Sequence, residues 1–227
     1  MCGRFTLTTP AETIASLFAG LQMPPLKPRY NIAPTQLVSC IRSAKTTKTK
    51  HVLEYVHLRW GLVPSWSKDL KMGARMINAR GETVAEKPSF RAAFKRRRCL
   101  ILADGFYEWK KEGGEKQPYY VTKTDEQPFC MAGLWETWKN KETDETVESC
   151  TIITTSANDF MSPLHDRMPV ILERENHPLW LDSEFEDRNH LESLLQPFSD
   201  EDGLQKRPVN KIVNRPVNDL PECIAPA

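Results

Sequence analysis

The sequence lacks several features that would assign it to a membrane, secreted or zinc-binding class. None of its apolar runs approaches the roughly 20 residues that a membrane-spanning helix needs. Its beginning has no basic segment followed by an apolar one, which a secretory signal would require. These absences predict a cytoplasmic protein whose thiols are kept reduced.

Cysteine pairs with the spacing of structural zinc motifs are also missing. Six cysteines occur, but no two are separated by only two residues. Cys99, Cys130 and Cys150 lie in apolar segments and are predicted to be core thiols. The net charge of +1 excludes a general polycation but is compatible with a local basic groove. We therefore expect neither a metal nor a cofactor.

No linker or low-complexity tract divides the chain. Its 227 residues are 40% hydrophobic and 27% charged, which is enough for one large core. We expect a single domain over residues 1–227, with a loose Pro-rich tail at about 216–227. Nothing in the sequence indicates an obligate dimer, so a monomer is expected.

The apolar pattern predicts a fold made mainly of strands. Cys99–Ala103 is continuously apolar, which is typical of a buried strand. His51–Trp60 alternates as a strand with one apolar face, and Lys206–Val213 is expected to add the last strand. Many short strands joined by polar loops indicate an α+β fold, with a largely antiparallel, barrel-like sheet and peripheral helices.

Among the residues that are present, Cys2 is the most informative. A small second residue normally allows removal of Met1, so Cys2 is expected to become the N-terminus. Its thiol, with a pKa of about 8.5, and its α-amine, with a pKa of roughly 7.7–8.0, could then condense with an aldehyde. The amine would form a Schiff base and the thiolate would close it to a thiazolidine. Judged by position alone, however, Cys2 is more often a residue of a frayed terminus.

Four polar clusters interrupt apolar segments beside predicted strand ends. They are Cys2-Gly3-Arg4, Asn78-Ala79-Arg80, Glu108 and His165-Asp166-Arg167. If they converge, they supply a nucleophile, an amide donor, a carboxylate acid or base, and an imidazole, which are common active-site components. Each cluster alone also has a structural interpretation, such as an ion pair between Asp166 and Arg167.

The order of the motifs resembles that of a known family. Residues 2–5, 30–34, 60–66, 77–83, 103–109 and 165–169 read CGRF, YNIAP, WGLVPSW, INARGET, ADGFYEW and HDRMP. Over residues 2 to about 215 the chain resembles the SOS-response-associated peptidase (SRAP) family, also described as abasic-site processing proteins. The resemblance implies covalent capture of abasic sites in single-stranded DNA during the DNA-damage response, with association with the nucleoid once crosslinked.

The resemblance also implies roles for the residues of the four clusters. Cys2 would supply both amine and thiol, and Asn78 would hydrogen-bond near the linkage. Glu108 would act as acid or base, and His165 would hold the α-amino group or shuttle protons. The aromatic neighbours of Glu108 predict that desolvation raises its carboxyl pKa, which suits an acid.

Further residues are implied to bind the DNA or to line the pocket. Arg4 and Arg80 are the candidates for phosphate contacts, and Pro34 and Thr154 would line the pocket. Trp66 follows a Pro-Ser turn, so it is either a packing plug or an exposed platform on which a base stacks.

Three functions are carried forward from the sequence. The first is crosslinking to abasic sites, with weak lyase activity from an untrapped Schiff base. The second is a thiol peptidase or self-processing hydrolase, in which Cys2 attacks while His165 and Glu108 act as base and orienter. The third is noncovalent binding of single-stranded or branched DNA through Trp66 and the arginines. The combined motifs favour the first.

Overall fold

The computed structural model describes residues 2–44, 52–199 and 203–227, so Met1, whose removal is predicted, and His51 lie outside the described residues. In these ranges the chain forms thirteen strands: β1 (Phe5–Leu7), β2 (Arg29–Ile32), β3 (Leu37–Ser43), β4 (Leu53–Trp60), β5 (Asn78–Arg80), β6 (Arg98–Ala103), β7 (Gly105–Glu112), β8 (Glu115–Lys123), β9 (Phe129–Lys139), β10 (Thr146–Ser156), β11 (Arg167–Pro169), β12 (Ile171–Leu172) and β13 (Leu204–Pro208).

The helices are short. Four of them are α-helices: α1 (Ala11–Ala15), α2 (Arg91–Arg96), α3 (His177–Leu181) and α4 (Arg188–Ser193). Single 3₁₀ turns follow several strands, including the segment Lys211–Asn214 after β13. Within the described ranges, no helix has both the length and the apolar character needed to cross a membrane.

Five strands close into a barrel. β3 pairs with β4 and β6, β6 pairs with β9, and β9 pairs with β10, all antiparallel. A parallel pairing between β4 and β10 completes the circle. This architecture confirms the predicted α+β fold with a largely antiparallel, barrel-like sheet and peripheral helices.

The predicted core thiols are buried against the barrel strands. All six residues of β6 are buried, as its apolar run predicted. Cys99, Cys130 and Cys150 are at most 3% exposed, and burial raises the pKa of the Cys130 thiol to about 12. Burial also raises the pKa of the Cys150 thiol, so Cys130 and Cys150 are packing groups rather than reactive ones.

A second sheet packs against the barrel. Its strand order is β13-β8-β7-β1-β2, and its inner face is joined to the barrel by aromatic contacts. Phe5 of β1 meets Trp60 of β4 edge to face, with ring centroids 5.1 Å apart and both side chains fully buried. We call the interface between this sheet and the barrel the seam, and the candidate site lies there.

The expectation of a loose tail at 216–227 is wrong. The Asp219 carboxylate accepts hydrogen bonds from the backbone N–H groups of Tyr30 and Asn31 at the edge of β2. Cys223 is fully buried in a small cluster with Val209 and Val213. The segment forms only a short 3₁₀ turn, Pro221–Cys223, but it satisfies an open sheet edge and covers apolar surface, and both interactions hold it in place.

The last strand was also predicted to be too long. β13 ends at Pro208, and the chain then turns into the 3₁₀ segment Lys211–Asn214. The Asn210 side chain accepts a hydrogen bond from the Ile212 N–H, which begins that turn in the manner of a helix cap.

Candidate active site

Strand β10 brings two of the polar clusters together. It pairs in parallel with β5, which begins at Asn78, and antiparallel with β11, which begins two residues after His165. Thr154 of β10 lies opposite Arg80 on one side and Pro169 on the other. The β-branched run from 151 to 155 is typical of such a central buried strand. The clusters around Asn78 and His165 therefore flank the same strand.

Strands β1 and β7 bring the other two clusters together. Phe5 lies opposite Phe106, and the Tyr107 N–H donates to the carbonyl of Arg4 at 3.0 Å. This register places Cys2 and Glu108 beside each other at the ends of the pairing. Burial, followed by the Glu108 charge, raises the pKa of the Cys2 thiol far above its ordinary value.

A side-chain hydrogen bond joins the two pairs of clusters. The Nδ2 of Asn78 donates to the backbone carbonyl of Cys2 at 2.8 Å. The Oδ1 of Asn78 is buried and has no hydrogen-bond partner in the part of the chain that the structure describes. A buried amide oxygen without a partner is costly, so this atom is suited to accept a hydrogen bond from a bound molecule.

Glu108 lies at the bottom of this seam. It is only 3% exposed, and burial raises the pKa of its carboxyl, in the direction that its aromatic neighbours predicted. The charge of His165 opposes that rise, so the imidazole is within range of an electrostatic interaction with the carboxyl. Cys2, Asn78, Glu108 and His165 therefore converge, although they come from four separate parts of the chain.

The imidazole of His165 has two alternative partners on the same nitrogen. Its Nδ1 lies 3.0 Å from the Arg167 N–H, which it accepts when unprotonated. The same Nδ1 lies 2.7 Å from a carboxylate oxygen of Asp166, to which it donates when protonated. The neutral ring bonded to Arg167 therefore carries its proton on Nε2, and the side chain as a whole is 30% exposed.

Arg4 is held by the protein itself. Its Nη1 donates to Asn31 Oδ1 and to the Val213 carbonyl, each at 2.8 Å, and its Nη2 donates to the Asn214 carbonyl at 3.4 Å. The guanidinium also lies over the Trp109 ring. These contacts use three of the five guanidinium N–H groups, and the phosphate contact of Arg4 stays a prediction.

The remaining predicted site residues differ in exposure. Arg80 is exposed, and Trp66 is 57% exposed, so the Trp66 indole lies at the surface and is not a packing plug. Pro34 is half-buried. Thr154 is fully buried, and its hydroxyl donates to the Ala79 carbonyl at 3.4 Å.

The structure adds Arg167 to the residues around Thr154. Its guanidinium makes two hydrogen bonds to the Glu82 carboxylate, at 2.5 and 2.9 Å, and one to the Thr154 carbonyl at 2.6 Å. Arg167 thereby holds the pKa of Glu82 below its usual value. The sequence suggested a pair with Asp166 instead, because neighbours in the chain are the only partners that a sequence displays.

Asn31 is a second residue that the sequence did not single out. It is fully buried and bonds to Arg4, and it lies in the motif at residues 30–34, where only Pro34 was assigned a role from the sequence. Within the described residues, no group of three or more potential metal ligands is arranged to hold an ion.

The fold and the motifs of this seam place the chain in a known class. It belongs to the SOS response associated peptidase (SRAP) family, whose model matches residues 1–216. The chain is 43% identical over 229 residues to the abasic site processing protein YoqW of Bacillus subtilis (strain 168), a match covering 99% of each chain. It is 34% identical to the abasic site processing protein HMCES of Xenopus tropicalis, over 88% of this chain and 66% of that protein. A crystal structure of a protein from Bacteroides thetaiotaomicron superposes over the whole of both chains, with a TM-score of 0.87 and 30% identity.

Proposed function

We propose that this protein processes abasic sites in DNA, and that it does so by covalent capture through Cys2. The observation that carries this proposal is the convergence of Cys2, Asn78, Glu108 and His165 at one buried seam. Relatives named abasic site processing proteins support the broader statement that the substrate is abasic DNA.

The reaction begins when the abasic sugar opens to its aldehyde. Once Met1 is removed, the α-amine of Cys2 adds to the aldehyde carbon and gives a carbinolamine. Its hydroxyl is protonated and leaves as water, so that an imine remains. The Cys2 sulfur then adds to the imine carbon while the thiol proton passes to the nitrogen, which closes a thiazolidine. Aldehyde and aminothiol thus give thiazolidine and one water, without oxidation or reduction.

Glu108 is suited to protonate the departing hydroxyl. Burial raises its carboxyl pKa, so the acid form persists to higher pH than for an exposed glutamate. General acid catalysis of this kind contributes roughly 10²–10⁴-fold to a rate. His165 interacts electrostatically with this carboxyl, and its partly exposed ring is suited to give Glu108 a new proton after each transfer.

Asn78 is suited to hold both reactants. Its Nδ2 fixes the Cys2 carbonyl, and its buried Oδ1 is placed to accept a hydrogen bond from the α-amine or from a sugar hydroxyl. Positioning an amine and an aldehyde in this way lowers the entropic barrier of their addition. Thr154 and Pro34 complete the proposed pocket.

The protonation state of the thiol favours capture over peptide hydrolysis. A thiol peptidase needs a thiolate generated by an adjacent base, whereas burial and Glu108 raise the pKa of Cys2. Among the hydrogen bonds of the described residues, none joins His165 to Cys2. A neutral thiol suits a nucleophile that acts second, after the amine has formed the imine.

The proposed partner is single-stranded DNA, bound by a monomer. Trp66 offers an exposed aromatic face, and base–aromatic stacking contributes about 1–3 kcal/mol without regard to base identity. Arg80 is the exposed cation nearest to the site in sequence, since it lies two residues from Asn78. An imine that escapes closure would allow β-elimination, which is the origin of the weak lyase activity that we expect.

The test is a crosslinking assay with mature protein. Protein lacking Met1 is incubated with a single-stranded oligonucleotide that carries one abasic site, and the products are separated on a denaturing gel. We expect a heat-stable shifted band from the wild type. Cys2→Ser keeps the amine but loses the thiol, so it should give only a labile adduct that borohydride traps.

Two controls separate this chemistry from the alternatives. An abasic analogue without the aldehyde should bind but give no covalent band, and an uncleaved N-terminal extension should prevent stable capture. If the wild type gives no shifted band, or if Cys2→Ser crosslinks as stably as the wild type, thiazolidine formation is wrong. Turnover of an added peptide that depends on Cys2 would instead support the peptidase.

A further inference from the structure

We infer that the segment from Val213 to Asp219, which we call the strap, positions Cys2 and Glu108 for the capture reaction. In this arrangement Asn31 and Asp219 are positioning residues that never touch the DNA. The inference rests on the proposed function, since its readout is the rate of covalent capture. Part of the strap lies beyond residue 216, where the match to the family model ends.

The first anchor of the strap is Asp219. One oxygen of its carboxylate accepts from the backbone N–H groups of Tyr30 and Asn31, at 2.5 and 2.9 Å. Its other oxygen accepts from Nε of Arg29. Three charge-assisted hydrogen bonds to consecutive residues fix the edge of β2 against the strap.

The second anchor is the buried side chain of Asn31. Its Nδ2 faces three strap carbonyls: those of Val213 and Arg215, each at 3.1 Å, and that of Asn218 at 2.6 Å. Its Oδ1 accepts from Nη1 of Arg4 at 2.8 Å. Because Asn31 is fully buried, losing either side of this bridge would leave polar groups unpaired.

Arg4 carries the connection to Cys2. Its side chain is fixed by Asn31 and by the strap carbonyls of Val213 and Asn214. Its backbone carbonyl accepts from the Tyr107 N–H at 3.0 Å and faces the Cys2 thiol, with the sulfur 4.0 Å away. The strap thus fixes the position of Arg4, which lies two residues after Cys2.

The strap and the strand that it anchors, β2, each hold one chain neighbour of Glu108. The Tyr107 hydroxyl donates to the Tyr30 carbonyl at 2.6 Å, on the strand that Asp219 anchors. Nε1 of Trp109 donates to Oδ1 of Asn214 at 2.7 Å. The proposed acid lies on β7 and the proposed nucleophile precedes β1, but the residues next to both are held by the strap and by β2.

This arrangement predicts a separation of rate from affinity. A displacement of about 1 Å between reacting groups can slow a reaction by about 100-fold. The exposed groups proposed to bind DNA, Trp66 and Arg80, are not among the contacts of the strap. Loosening the strap should slow capture while leaving noncovalent DNA binding unchanged.

The experiment measures two constants for full-length mature protein. The capture rate at saturating abasic single-stranded DNA comes from quenched gels, and the dissociation constant comes from the analogue without an aldehyde. Asp219→Asn removes the charge with little change of shape, and Asp219→Ala and Asn31→Asp are the second and third variants. We expect capture to slow by about 10-fold or more, while the dissociation constant changes by less than 2-fold.

A structural control distinguishes positioning from lost stability. Leu191→Ala removes a buried side chain from α4, away from the strap, and lowers the melting temperature without touching these contacts. It should keep the wild-type capture rate at a temperature where it stays folded. Strap variants that capture as fast as the wild type, or no more slowly than a Leu191→Ala protein of equal melting temperature, would overturn the inference. If the wild type itself forms no adduct, the proposed function fails instead.

Discussion

The side-chain amide of Asn78 donates a 2.8 Å hydrogen bond to the backbone carbonyl of Cys2. This bond joins β5, which pairs with β10 of the barrel, to the segment that enters β1 of the second sheet. It is a direct polar contact between the residue proposed as the nucleophile, Cys2, and strand β5 across the seam. The candidate site therefore depends on how two sheets pack, and not on any one loop.

Replacing Asn78 by alanine should remove that contact without unfolding the protein. One hydrogen bond contributes about 1 kcal/mol to stability, so the melting temperature should fall by only a few degrees. We expect the capture rate to fall by about 10- to 100-fold, because Cys2 loses its fixed position. Asn140→Ala, in an exposed turn, is the matched control and should capture normally. Equal rates for the two variants would show that Asn78 has no role in the reaction.

Glu108→Gln should change the pH dependence of stability. The folded-state pKa of Glu108 is raised above its ordinary value of 4.5, so the folded protein holds the proton more tightly than the unfolded chain. The stability this provides is complete below pH 4.5 and is lost as the pH rises through the folded-state pKa. Urea unfolding from pH 4 to 8 should therefore show Glu108→Gln gaining stability relative to wild type as the pH rises. A difference that is flat across this range would contradict the raised pKa.

The same variant should lose the acid step of capture. Glutamine occupies the site but cannot release a proton, so the capture rate should fall by roughly 10²–10⁴-fold at neutral pH. Quenched gels with abasic single-stranded DNA give this rate, and binding of the aldehyde-free analogue checks that the site is intact. Glu142→Gln, in an exposed loop, serves as the control.

Trp66→Ala should weaken DNA binding more than it affects the fold. The indole is 57% exposed, so little buried area is lost, while stacking on a base contributes about 1–3 kcal/mol. We expect the dissociation constant for single-stranded DNA to rise by about 5- to 150-fold, as measured by fluorescence anisotropy, with the melting temperature nearly unchanged. Val52→Ala removes another exposed apolar side chain, at the start of the barrel hairpin, and should bind as the wild type does. Unchanged affinity for Trp66→Ala would exclude the stacking platform.

Gly61→Ala should destabilise the fold strongly. The φ angle of Gly61 is +121°, and an added Cβ would lie 2.5 Å from the backbone oxygen of Gly73. Backbone strain and overpacking together should cost about 3 kcal/mol or more in the free energy of unfolding. Gly20→Ala is the matched control, because its φ is +78° but no atom lies within 4 Å of the added carbon. Urea unfolding should show a loss of about 1–2 kcal/mol for Gly20→Ala, and equal losses would show that the contact with Gly73 is unimportant.

The architecture was largely visible in the sequence. The apolar run of β6 and the succession of short strands predicted a barrel-like antiparallel sheet, because burial of both faces leaves a continuous apolar pattern. The parallel pairing of β4 with β10, which closes the barrel, was not visible. Residues 59 and 149 face each other across this pairing, and no local pattern records a partner so distant in the chain.

The site residues were found by motif, but their contacts were not. The sequence placed Arg4 at the DNA backbone, whereas the folded chain directs its guanidinium to Asn31 and to the strap. It left the tail loose, whereas Asp219 holds the edge of β2. Neither set of contacts was visible, and for the same reason, since a charged side chain in a sequence carries no mark of the partner that it will meet.

The sequence by itself determined the functional groups of the candidate site: a cysteine at position 2, an amide at 78, a carboxylate between aromatic residues at 108, and an imidazole at 165. These depend only on residue type and order. The tertiary structure decided that Asn78 bonds to Cys2, that Glu108 is buried with a raised pKa, and that the C-terminal segment bonds to Arg4 and Trp109. Distance and burial arise only when the two sheets pack, and they convert four scattered polar residues into one site.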